Sequence, residues 1–280
     1  MHPLVSLNLV CFGEAIAGIE DLGTTLQHDV DFCVEAGFRR AGVTWSKVAS
    51  EGVDRAAAIV RDSGLIVSTV LSPRMISVDE PSRWPAELAE LRRRLEFAAE
   101  IGAETVYGPV GPAGPLDWEE AARRVTQAVR EAVELSSRIG VPLIFEPTPF
   151  LYAELDFVHS FRDALHLAEM AGLGLCLDLF SVWQEQGLFE TARAALPRLH
   201  LVQLGDFLPC RSLPNRVVPG DGMIPLQTMI GRIVELGYRK AFDLELIGPL
   251  IRAEGVERAA VRSGEYLSNL LEAVGLPPDG

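Results

Sequence analysis

Residues 117–147 read DWEEAARRVTQAVREAVELSSRIGVPLIFEP, and this stretch contains the unit from which the rest of the chain is built. Ala, Val and Leu recur at three- and four-residue spacing through Ile139, the signature of an amphipathic helix. Asp117 stands where a carboxylate accepts from the free N–H groups of the first turn, and Glu119 and Glu120 complement the positive end of the helix dipole. Gly140 follows the last periodic residue, where a left-handed residue turns the chain back. A short run, VPLIF, then stops at Glu146. It is apolar without alternation, as expected of a strand buried on both faces.

Working outward, the same unit recurs along the chain. Short apolar runs sit near residues 4–10, 40–45, 65–71, 104–108, 142–146, 173–178, 198–204 and 241–246. Helical periodicity is expected over roughly 24–36, 53–63, 85–101, 117–139, 158–171, 184–195, 225–237 and 256–273. Gly37, Gly64, Gly102 and Gly237 take the place of Gly140 in four other units. Eight strand–helix units with no composition break or linker predict one α/β domain over residues 1–280, a closed (β/α)8 barrel. A doubly wound open sheet is the alternative, but no glycine-rich phosphate loop follows the first strand.

Composition narrows the function. The 280 residues carry a net charge of −14, which argues against a phosphate-backbone partner and so against nucleic acid. No stretch approaches the roughly 18 uncharged apolar residues of a membrane span. The N-terminal MHPLVSLNLVCF lacks a basic segment and is read as a strand rather than a signal peptide. Cys11, Cys33, Cys176 and Cys210 are widely spaced, with no CxxC pair, and are expected as buried thiols in a reducing cytoplasm.

In a parallel barrel the chemistry belongs to the C-terminal ends of the strands. Strand five ends on Glu146 and strand six, GLGLCLD, on Asp178; strand seven, LHLVQLGD, carries Gln203 and Asp206, and strand eight, AFDLELIGP, carries Glu245. A single acid after a strand commonly does no more than cap the next helix. Three acids at one mouth would instead repel one another unless a cation or protons compensated. Oxygen-only donors suit Mg²⁺ or Mn²⁺ rather than zinc.

These residues resemble the xylose-isomerase-like barrels, which include sugar-phosphate isomerases and epimerases, hydroxypyruvate isomerases, and inosose and dehydroshikimate dehydratases. The resemblance rests on SLN at 6–8, TWSKV at 44–48, IFEP at 144–147, LDLFSVW at 177–183, VQLGD at 202–206, NRVVPGDG at 215–222 and FDLELIGP at 242–249. It implies one divalent ion, Mn²⁺ or Mg²⁺, on Glu146, Asp178, Gln203 and Glu245. It also implies catalysis by Glu146 and Glu245 as proton carriers, and substrate contact by Arg216. Lys47, Tyr107, Ser181 and Trp183 join Arg216 as expected substrate-binding residues. The implied activity is isomerisation or epimerisation of a small hydroxy-carbonyl compound through an enediolate, with a dehydratase as the alternative. Such relatives are often homo-oligomers.

The chain departs from the family at two places. Ser181 replaces the His three residues after the strand-six Asp, and Pro147-Thr148-Pro149 replaces a His that many dehydratase relatives carry after the strand-five Glu. The five histidines are His2, His28, His159, His166 and His200; His159 and His166 are expected on the fifth helix, and none is expected at a strand end. A histidine base is therefore not expected, and neither is the zinc-rich endonuclease branch of the family, with its many His ligands and basic DNA face. A barrel that binds without catalysis is the remaining alternative. Trp45, Phe150, Phe180, Trp183 and Phe207 near the mouth suggest a ligand less polar than a simple sugar.

Overall fold

The computed structural model describes residues 1–13, 22–209 and 216–278. The strands are β1 (Val5–Asn8), β2 (Arg40–Thr44), β3 (Ile66–Leu71), β4 (Val106–Tyr107), β5 (Leu143–Phe145), β6 (Gly174–Asp178), β7 (Leu199–Leu204), β8 (Asp206–Phe207), β9 (Arg216–Val217) and β10 (Phe242–Leu244). Eight of them follow one another around a closed barrel in the order β1-β10-β7-β6-β5-β4-β3-β2, as the sequence predicts. The antiparallel pair β8–β9 stands apart from it, so β10 is the eighth barrel strand.

Each expected strand forms within the stretch that predicts it, and the helices form as expected with ends displaced by a few residues. The helix Trp118–Ile139 buries Ala121, Ala122, Val125, Ala128, Val129, Ala132, Leu135 and Ser136, the stripe that its periodicity marks. Asp117 accepts from the Glu120 N–H at 2.8 Å, and Gly140 is left-handed with φ of 74°. Three short helices, Trp45–Glu51, Leu179–Val182 and Pro249–Glu254, were not expected. None reaches two full turns of stripe, so periodicity cannot mark them. They follow β2, β6 and β10, at the strand ends where the expected chemistry lies.

The chain divides into two compact units, Met1–Ser68 with Leu201–Gly280, and Thr69–His200. The first holds β1, β2, β8, β9, β10 and β7 from Leu201 onward. Its register sets Asp243 of β10 opposite both Ser6 of β1 and Gln203 of β7. The second holds β4, β5 and β6, with Val106 opposite Leu143 and Ile144 opposite Gly174. Strands β5 and β6 are buried at every position, as the unbroken apolar runs predict. Among the described residues no helix is long and apolar enough to cross a membrane. Cys11, Cys33 and Cys176 are buried thiols, and burial pushes Cys11 and Cys33 well above the usual thiol range. Cys210 and Asn215 lie outside the described residues.

Candidate active site

In the unit Thr69–His200, Glu146 directly follows β5 and Asp178 ends β6. Both are buried, Asp178 completely. A buried carboxylate must be hydrogen-bonded or charge-compensated, or it is not retained. Tyr107, the last residue of β4, donates its hydroxyl to Glu146 Oε1. Asp178 Oδ1 accepts the Phe180 N–H at 3.0 Å, capping the short helix Leu179–Val182, while Oδ2 accepts the Ser181 hydroxyl at 2.6 Å. Tyr107 and Ser181 are thus brought together with the two expected metal ligands of this half. Trp183 is half-buried just beyond that helix, and Phe180 is buried within it.

Aspartate 156, which sequence reasoning passed over, organises the loops of this half. Its Oδ2 accepts the Val110 N–H at 2.9 Å and its Oδ1 the Val158 N–H at 3.0 Å, tying the chain after β4 to the chain after β5. Complete burial pushes its carboxyl up to about 8, against the downward pull of those backbone donors. His159 requires a correction. It precedes the helix Phe161–Ala171 instead of lying on it, because Ser160 caps that helix by accepting from the Asp163 N–H. Its Nδ1 lies 3.0 Å from the Thr148 carbonyl oxygen, in the loop that follows Glu146. His166 does lie on the helix and stacks on Trp118. The exposed loop residue Phe150 packs edge-on against His159.

In the other unit, Gln203 is the penultimate residue of β7 and Glu245 directly follows β10. Arg216 of β9 forms a buried ion pair with Glu245 through Nη2 and Oε2. The loop carrying Arg216 is held by Asp206, whose two oxygens accept four backbone N–H groups. Phe207 and Ile224 donate to Oδ1 at 2.8 and 3.0 Å, and Gly220 and Gly222 donate to Oδ2 at 2.9 and 3.1 Å. This explains the PGDG sequence at 219–222: a Cβ on Gly222 would stand 2.2 Å from Asp206 Oδ1. Gly205 serves the same purpose one step earlier, since a Cβ there would come within 3.0 Å of both Arg216 Cδ and the Glu245 carbonyl oxygen. Gln203 gives its amide nitrogen to Asp243 Oδ2 at 3.1 Å, and Asn8 gives its own to the same oxygen at 2.9 Å.

Lys47 is held by partners within the same unit. Its Nζ is paired with fully buried Asp29 and hydrogen-bonded to Thr24 Oγ1 at 2.7 Å, which ties the helix Leu26–Glu35 to the helix Trp45–Glu51. Among the described residues, no three or more His, Cys, Asp and Glu side chains are drawn together as a metal cluster. Local partners account for this, since Glu146 is turned to Tyr107 and Glu245 to Arg216, and the strand-seven donor is an amide. The donor chemistry nonetheless fits a hard divalent ion. Glu146, Asp178, Gln203 and Glu245 each carry a side-chain oxygen able to coordinate, all four are at least nine-tenths buried, and they stand at or within one residue of the ends of β5, β6, β7 and β10.

Solved structures share this architecture. A protein from Sinorhizobium meliloti 1021 matches with a TM-score of 0.82 at 24% identity, covering 95% of this chain and 98% of the other. The IolI protein with a bound zinc atom matches at 0.79 and 16% identity, covering 98% and 99%. D-psicose 3-epimerase from Clostridium cellulolyticum H10 matches at 0.74 and 15% identity, covering 96% and 98%. At these identities the likeness shows the fold alone. No functionally curated protein matches the sequence. The model of the xylose isomerase-like TIM barrel family matches residues 30–267, most of the chain, and the protein belongs to that family.

Proposed function

We propose that the protein is a divalent-metal-dependent isomerase or epimerase that moves a proton on the carbon beside a carbonyl of a small hydroxy-carbonyl substrate. The observation that carries this reading is the pair of buried glutamates at strand ends, Glu146 and Glu245, each held by a dedicated partner, Tyr107 or Arg216. Two carboxylates with fixed orientation and little water are what a proton transfer at carbon requires. Glu146, Asp178, Gln203 and Glu245 would hold Mn²⁺ or Mg²⁺, which supplies Lewis-acid polarisation of the carbonyl and adjacent hydroxyl when bound. The zinc atom bound by IolI and the epimerase activity of D-psicose 3-epimerase, two proteins of the same fold, support this choice.

The chain's own part begins with one glutamate accepting the proton as the C–H electron pair moves toward the carbonyl oxygen. The second glutamate returns a proton to the same carbon from the opposite face, which inverts the centre, or to the former carbonyl carbon, which moves the carbonyl as the α-hydroxyl proton passes to the former carbonyl oxygen. Tyr107 positions Glu146 through its hydroxyl. Arg216 offers a guanidinium to a substrate oxygen while remaining close to Glu245. Ser181, which donates to Asp178 Oδ2, and Trp183, two residues further on, would contact the substrate beside Asp178.

A dehydratase is the second reading. It begins with the same proton abstraction and expels a β-hydroxyl, for which the Tyr107 hydroxyl beside Glu146 provides an acid. Incubation of candidate ketoses and keto-acids with Mn²⁺-loaded protein in deuterium oxide tests both. Deuterium incorporated at the α carbon with retained backbone mass supports isomerisation, and loss of one water supports elimination. Absence of exchange with every hydroxy-carbonyl compound tried, in protein that has bound metal, would sink both readings.

A further inference from the structure

The unit that joins Met1–Ser68 to Leu201–Gly280 also holds a buried polar cluster that the proposed reaction does not use. Asp243 is completely buried on β10, two residues before Glu245, and so points to the same side of the strand about 6–7 Å deeper. It is also the register partner of Gln203. Its Oδ2 receives two amide N–H bonds, from Gln203 at 3.1 Å and from Asn8 at 2.9 Å. Asn8 is in turn fixed, because its Oδ1 accepts the Val10 N–H at 3.1 Å. Ser6, the register partner of Asp243 on β1, meets Ser68 hydroxyl to hydroxyl at 2.7 Å.

An amide is a poor choice of ligand unless something decides which end faces the cation. Its oxygen can coordinate, its nitrogen cannot, and the two are nearly equal in shape. A carboxylate beneath the amide settles the choice, since it accepts hydrogen bonds and donates none. With Nε2 committed to Asp243, Oε1 occupies the other branch of the Gln203 side chain.

We infer that Asp243 is a positioning residue that orients the Gln203 amide oxygen toward the metal, in the way that a second carboxylate orients a histidine ligand. This rests on the metal reading given above. Asparagine at 243 would present an N–H as readily as an oxygen, and the amide of Gln203 would lose its fixed sense. Glutamate at 203 needs no such control, because both of its ends are oxygen.

The test is a cycle of Mn²⁺ affinities, read from free Mn²⁺ by electron paramagnetic resonance, for the wild type, D243N, Q203E and the pair D243N/Q203E. Outer-shell partners of metal ligands typically set about 10–100-fold in affinity, and D243N is expected to weaken binding by at least about tenfold. The pair is expected to bind at least as tightly as Q203E alone, since asparagine at 243 can donate to a glutamate at 203. A purely structural role for Asp243 would weaken both backgrounds equally, and that result overturns the inference. N8S removes the other donor to Asp243 and is expected to leave Mn²⁺ affinity within about threefold, on the same outer-shell scale. If D243N alone does not fold, Q203E against D243N/Q203E decides in the same sense. Wild-type protein that binds Mn²⁺ while D243N binds it equally well overturns the inference and leaves the metal reading standing. Wild-type protein that takes up no Mn²⁺ overturns both.

Discussion

The two halves of the chain support their strand-end carboxylates by different means. In the half Thr69–His200 the donors are neutral: the Tyr107 hydroxyl on Glu146, and the Ser181 hydroxyl and a backbone N–H on Asp178. In the half that joins Met1–Ser68 to Leu201–Gly280, Glu245 is matched by the Arg216 guanidinium, while two amides are spent on Asp243. The lesson is energetic. A neutral donor can be removed at the cost of one charged-acceptor hydrogen bond, whereas removing a buried cation strands a buried anion.

That contrast orders the expected effects, each read by urea unfolding of chelator-treated protein. Arg216→Met is expected to cost most, about 3–5 kcal/mol, because Glu245 is left buried without its counter-charge. Added Mn²⁺ should recover part of that loss if Glu245 is a metal ligand. Asp206→Ala follows at about 2–4 kcal/mol, as four backbone N–H groups lose their acceptor and the loop bearing Arg216 loosens. Tyr107→Phe is expected to cost about 1.5–3 kcal/mol, the range for a hydrogen bond to a charged group. Ser181→Ala comes last at about 1 kcal/mol, since Asp178 keeps its bond to the Phe180 N–H and Ser181 is only half-buried. Equal losses for Arg216→Met and Tyr107→Phe would break the distinction between the halves.

What the sequence reveals and what it hides follow the same division. Apolar runs, helical stripes and glycine caps are local, and from them the eight strands and the barrel order could be read. The acids closing β5, β6 and β10, and the glutamine near the end of β7, were legible because they interrupt those runs. Partnerships were not legible. Nothing local in TWSKV shows that Lys47 is paired with Asp29, and nothing in FDLELIGP separates the role of Asp243 from that of Glu245. Asp243 carried one unused signal: it is a charged residue in the middle of a strand otherwise buried on both faces. His159 was displaced from its expected helix by one capping serine, a detail that periodicity averages away. The hairpin β8–β9 contributes only two residues per strand, too few for any alternation to register.

The central claim is that Glu146, Asp178, Gln203 and Glu245 together hold one divalent ion. Equilibrium dialysis of the purified chain against Mn²⁺, followed by metal analysis, measures it directly. About one Mn²⁺ per wild-type chain is predicted, as for sites of a few carboxylate oxygens, with uptake lost in Glu146→Gln and in Glu245→Gln although both variants remain folded. Wild-type protein that takes up no Mn²⁺, or both variants taking it up as the wild type does, would contradict the account.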